Sequence, residues 1–199
     1  MPKIVDHEQR RAELAQAAVE LVRSQGVAAL SVRNLAQASG WSAGAVRHYL
    51  PTHRDIVALV SEHVRAGFER RLAAVEAPGD PAAQLLSLLR AVLPLDDQSR
   101  ELSQVWLAFL GAEVHQEQGA GAMVYDELAG LFTDFFTACQ REGQLVGESP
   151  RQAAATLQAQ LDGLTVHLLL GRVDHDQALA ALDAVVGCLV RRPASAAQG

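Results

Sequence analysis

Apolar residues recur at intervals of three and four along almost the whole chain, and β-branched and polar residues rarely alternate long enough to make a strand. That periodicity leaves an all-α fold as the reading, because a 3.6-residue pattern buries one helical face and would scatter its apolar side chains over both faces of a sheet. Punctuation sharpens it. Pro51, Pro78, Pro81, Pro94, Pro150 and Pro193 fall where helices should start or stop. Ser31, Ser42, Ser149 and Asp174 stand as N-caps, and Thr52 with Asp55 has the spacing of a capping box. About nine helices follow: 8–25, closed by a left-handed Gly26; 31–39; 42–49; 53 to the mid-70s; 82–93; 98–118; 122–143; 150–171; and 175–191.

The 199 residues carry a net charge of −6, which by itself argues against a nucleic-acid partner. The total conceals an asymmetry. Residues 1–71 hold ten Lys/Arg against seven Asp/Glu, a balance of +3, while residues 72–199 hold seven against sixteen, a balance of −9. Halves of opposite sign suggest two jobs. The longest apolar run, near 164–171, is broken by His167, and the opening residues lack a basic-then-apolar signal, so a cytoplasmic protein without a membrane partner is expected. Cys139 and Cys188 are too few for a disulfide framework or a zinc ligand set and read as small buried apolar residues. A Gly-rich phosphate loop, metal-ligand spacing and a nucleophile elbow are all missing, so neither an enzyme nor a cofactor or metal is expected.

The most informative stretch is 30–56. Two short helices meet at Gly40-Trp41 and stand on a longer first helix, which is the arrangement of a helix-turn-helix. In the second of them Val46 and Leu50, four apart, face the hydrophobic base and leave Ala43, Gly44, Arg47 and His48 outward. Small residues at its start let the backbone approach a groove floor; Arg47 can pair with a guanine edge, and His48 and Tyr49 can donate to phosphate or base. Lys3, Arg10 and Arg11 are further phosphate candidates.

Leu30-Ser31-Val32-Arg33-Asn34-Leu35-Ala36-Gln37-Ala38-Ser39-Gly40-Trp41-Ser42, continued by Gly44-Ala45-Val46-Arg47-His48-Tyr49-Leu50-Pro51-Thr52-His53-Arg54-Asp55-Ile56, resembles the DNA-binding domain of TetR-family transcriptional regulators. The later stretch Leu161-Asp162-Gly163-Leu164-Thr165-Val166-His167-Leu168-Leu169-Leu170 resembles the dimerising helix of the BetI-type subgroup. The resemblance implies a sequence-specific regulator, most often a repressor released from a palindromic double-stranded operator by a small-molecule effector. It also implies that Ser31 caps its helix beside the DNA backbone, that Arg33, Ser42, Ala43, Arg47 and His48 lie at or near the groove, and that Tyr49 binds phosphate. Three positions depart from the family pattern: His53 stands where a phosphate-directed lysine is usual, Trp41 where a small aliphatic residue is usual, and Arg47 where an aromatic is common.

The domain boundaries expected are 1–52 for the DNA-binding domain, 53–77 for a linking helix, 78–192 for a helical bundle that dimerises and binds ligand, and 193–199 for a flexible tail. Leu157, Leu161, Leu164 and Leu168, with Leu182, Val186 and Leu189, form apolar stripes that suit a homodimer interface or an intrachain core. Aromatic residues make up only 5% of the chain, yet Trp106, Phe109, Phe132, Phe135 and Phe136 gather on two successive helices; with Met123 and His167 they are candidates for an effector pocket, or for core. A neutral, mostly apolar effector is the preferred expectation. The competing function is a helical ligand-binding or scaffold protein without specific DNA binding.

Overall fold

The computed structural model describes residues 3–76, 80–113, 120–147 and 149–191. Among them stand nine α-helices: α1 (Lys3–Gln25), α2 (Val32–Ser39), α3 (Ala43–Tyr49), α4 (His53–Ala73), α5 (Pro81–Val92), α6 (Asp97–Glu113), α7 (Ala120–Arg141), α8 (Pro150–Leu169) and α9 (His175–Leu189). None of these helices is long and apolar enough to cross a membrane. The expected extension of α6 to residue 118 and the tail at 193–199 lie outside the described residues. The chain divides into two compact units, Met1–Gly67 with Gln104–Met123 and Phe68–Ser103 with Val124–Gly199, so the division falls within α4, α6 and α7.

In the first unit α1 turns Leu14, Ala15, Ala18, Val19, Leu21 and Val22 inward, all buried. It ends at Gly26, whose φ of 81° and ψ of 172° lie outside the left-handed helical region expected there, in a region essentially reserved for glycine. A 3-10 turn at Val27–Ala29 follows, which the sequence pattern does not announce. Asn34 ties it to α2, donating from Nδ2 to the Ala29 carbonyl at 2.8 Å. Ser31 and Ser42 cap α2 and α3, each hydroxyl oxygen accepting a backbone N–H (Asn34 and Ala45, both 3.1 Å). Between them Gly40 takes the left-handed conformation at φ 73°, which costs an ordinary L-residue about 1–2 kcal/mol. The Thr52–Asp55 box closes the start of α4: the Thr52 N–H and hydroxyl donate to Asp55 Oδ2 at 2.8 and 2.6 Å, and Asp55 N–H returns a bond to Thr52 Oγ1 at 3.2 Å. Those bonds from Thr52 hold the Asp55 carboxyl below its ordinary range.

The second unit is built on leucine. Its core gathers Leu85, Leu86, Leu89 and Leu93 from α5 and the turn after it, Phe132, Phe136 and Cys139 from α7, and the inward faces of α8 and α9. Capping boxes start both of the last helices, Ser149 with Gln152 and Asp174 with Gln177. The end of α9 is fastened to the loop after α7 by an antiparallel bridge between Leu145 and Val190. Arg71, late in α4, donates from Nε to the Ala91 carbonyl at 2.6 Å and from both Nη atoms to Asp96 at 3.2 and 2.5 Å. Asp96 also takes the Ser99 backbone N–H at 2.8 Å. Burial pushes the Asp96 carboxyl up, but the bonds from Ser99 and Arg71 outweigh it and leave the group below its ordinary range.

Several sequence expectations change here. Leu157, Leu161, Leu164, Leu168, Leu182, Val186 and Leu189 are at most 5% exposed within the single chain, so they fill its own core and have no surface left for a second copy. Of the aromatic candidates, Phe132 and Phe136 are core residues as well, while Phe135 is half-buried and meets Phe136 edge-on at 5.3 Å. Leu131, next to Phe132 on α7, is 60% exposed. Cys139 is buried, which pushes its thiol up, but Cys188 is exposed because Val186 and Leu189 take the inward positions of α9. His167 is exposed for the same reason, with Leu164 and Leu168 inward beside it.

Candidate nucleic-acid interface

The geometry of α3 follows from two side chains. Val46 and Leu50 are 0% and 1% exposed, and they pin one face of a seven-residue helix against the base of the first unit. With that face fixed, Ser42, Ala43, Gly44, Arg47 and His48 are all exposed. Arg33 is exposed on α2, and His53 on the first residue of α4. Arg33 and Arg47 have no hydrogen-bond or ion-pair partner among the described residues, so their donors remain available to an incoming acceptor. Ser31 and Ser42 spend their oxygens on helix caps, yet a hydroxyl that accepts through oxygen keeps its own hydrogen to donate.

Tyr49 is placed differently. Its ring is half-buried within a set of other rings: His7 of α1 at 4.6 Å between centroids, His48 at 5.3 Å and Trp41 at 5.6 Å. The guanidinium of Arg10 lies over the Trp41 ring, 5.7 Å from its centroid, within cation–π range. These side chains form part of the wall of an open groove of about 770 Å³ between α1 and α3. Gln9, Arg10 and Glu13 line one side and Gly40, Trp41, Ser42, Ala45, His48 and Tyr49 the other. Arg33, Ala43, Arg47 and His53 stand apart from it.

Of the further phosphate candidates, Lys3 has a side chain outside the described residues. Arg11 pairs with Glu62 of α4 at 3.5 Å, with both side chains about half exposed (46% and 59%). A pair that exposed is worth about 0–1 kcal/mol, so it can be surrendered to a phosphate. The sequence pattern missed the ring cluster. Trp41 at a turn was the one visible hint; nothing local to His7 or Arg10 announces partners so far along the chain.

Of the effector-pocket candidates, Trp106 and Phe109 belong to the first unit, whereas Phe132, Phe135, Phe136 and His167 belong to the second. The Met123 side chain lies outside the described residues.

A basic head with a two-residue-anchored helix presenting arginine defines a helix-turn-helix DNA-binding regulator. Residues 81–191 match the sequence profile of the C-terminal domain of BetI-type transcriptional repressors. The chain belongs to the TetR family of transcriptional regulators, with a C-terminal domain of the BetI type. It is 29% identical over 183 residues to the HTH-type transcriptional regulator PksA of Bacillus subtilis (strain 168), covering 89% of this chain and 88% of the relative. It is 28% identical over 172 residues to the regulator BetI of Paraburkholderia xenovorans (strain LB400), covering 82% and 84%. Its fold is similar to that of a putative transcriptional regulator from Saccharomonospora viridis crystallised with choline, with a TM-score of 0.77 and 20% identity over 93% of this chain and all of that one.

Proposed function

We propose that the protein is a repressor that binds a palindromic operator as a homodimer in the cytoplasm and leaves it when a small effector binds the second unit. The observation that carries the DNA half is the outward face of α3, where Ala43, Arg47 and His48 are exposed while Val46 and Leu50 are buried. In this reading Arg47 reads a base, Ser31, Arg33, Ser42 and Tyr49 engage the backbone, and His53 makes a weaker phosphate contact than the longer lysine side chain would. Selection of bound duplexes from random DNA tests it. Enrichment of two inverted half-sites with centres about 34 Å apart is expected, and no enrichment over the input pool would refute it.

For the dimer, the leucine stripes are replaced by the opposite faces of the same helices. Ala155, Ala159, Gly163 and Leu170 of α8 and its end, and Ala180, Ala184, Gly187 and Cys188 of α9, are exposed. Leu170 is 65% exposed, a large apolar side chain that gains by cover. Small side chains allow helix axes to approach closely. Ala159→Glu with Ala184→Glu should convert the dimer to a folded chain of 21.3 kDa in size-exclusion chromatography, and a wild-type protein already at that mass would contradict the dimer.

The effector is proposed to be neutral and mostly apolar. Among the described residues the buried polar side chains are Ser99, Ser103, Gln158 and Thr165, with no carboxylate to receive a cation. Calorimetry with choline, the compound bound in the S. viridis relative, and with uncharged apolar compounds separates the two classes.

A further inference from the structure

We propose that Trp41 is a positioning residue for operator binding: it fixes the ring of Tyr49 in advance and touches no DNA itself. The inference rests on reading Tyr49 as a phosphate contact.

Trp41 is the single residue between the left-handed Gly40 and the cap residue Ser42, so its backbone direction is set on both sides. Its indole is only partly buried, so filling the base of the first unit is not the main use of so large a ring. The ring is spent on the DNA-facing surface. It meets Tyr49 at 5.6 Å with an interplanar angle of 75°, the edge-to-face arrangement that aromatic pairs prefer. Arg10 closes over the indole at 5.7 Å and His7 meets Tyr49 at 4.6 Å, so α1 supplies a second support.

The physical consequence is preorganisation. A tyrosine on an uncovered helix surface samples several rotamers and loses that freedom when its hydroxyl meets a phosphate. A ring already held against Trp41 and His7 has lost the freedom on folding, and the cost no longer falls on binding. An aliphatic residue at position 41 removes the largest of those supports without disturbing the hydroxyl. Arg10 belongs to the same device, since its charge is drawn to the indole at the rim of the groove rather than projecting from α1.

The test is a double-mutant cycle on the full chain, using as probe the duplex recovered by selection from random DNA. Trp41→Leu should weaken binding by about two- to tenfold for each head engaged. Trp41→Phe, which restores a ring, should recover most of the loss. Tyr49→Phe should weaken binding in the wild-type background and by clearly less in the Trp41→Leu background. Thermal melts establish that each variant is folded, and Trp41→Val replaces Trp41→Leu if the latter is not. A Tyr49→Phe loss of equal factor in both backgrounds overturns the positioning role while leaving the phosphate contact standing. A Tyr49→Phe variant that binds like wild type overturns both.

Discussion

The two units bury leucine by the same rule and expose very different things. In the first, α3 is so short that two buried side chains, Val46 and Leu50, decide where every other residue on it points. In the second, α8 and α9 are long enough to carry a complete apolar stripe inward and a stripe of small residues outward. A short helix therefore announces its working face by elimination. A long amphipathic helix does not, because its leucines suit an intrachain core and an interface equally well.

Core substitution in the second unit should give the largest effect. Leu182→Ala, at a fully buried position, should cost about 2–5 kcal/mol in urea unfolding and leave the operator sequence preference of the surviving folded protein unchanged. A loss below about 0.5 kcal/mol would return the leucine stripe to the interface. In the first unit Arg47→Ala should cost about 1–3 kcal/mol of operator binding, mostly as lost discrimination at one base position, with stability unchanged. An unaltered preference in the selection contradicts base reading. Removing a cap is milder: Ser42→Ala should lower thermal stability by about 0.5–2 kcal/mol through the lost bond from Ala45 N–H.

The smallest effect is a pH dependence. The Asp96 carboxyl, held below its ordinary range, contributes stability that is complete above the unfolded value of about 3.9 and is lost as pH falls through the folded value. Asp96→Asn should lower stability at neutral pH and flatten this acid limb. An acid limb as steep as wild type would mean that other carboxylates set it.

Most of the fold was legible because its boundaries are written in local chemistry. Ser31, Ser42, Ser149 and Asp174 cap the helices their positions suggested, and Pro81 and Pro150 open theirs. The 3-10 turn at Val27–Ala29 carries no such local mark: beyond its own backbone bonds it is tied by Asn34 of the next helix. At the candidate interface the exposed positions of α3 followed from spacing alone. The supports of Tyr49 did not, since His7, Arg10 and Trp41 are joined to it only by tertiary contact. In the second unit hydrophobicity marked the buried residues but not their neighbour, because burial within a chain and burial between chains leave the same pattern in sequence.

The central claim is that the basic head reads DNA through α3 as one of a pair. Selection from random duplexes at low salt, repeated with the Arg47→Ala protein, tests it most directly. The account predicts an inverted repeat whose affinity falls as salt rises and whose preference relaxes at one symmetric base position in the variant. Equal recovery of all sequences by the wild-type protein would contradict it.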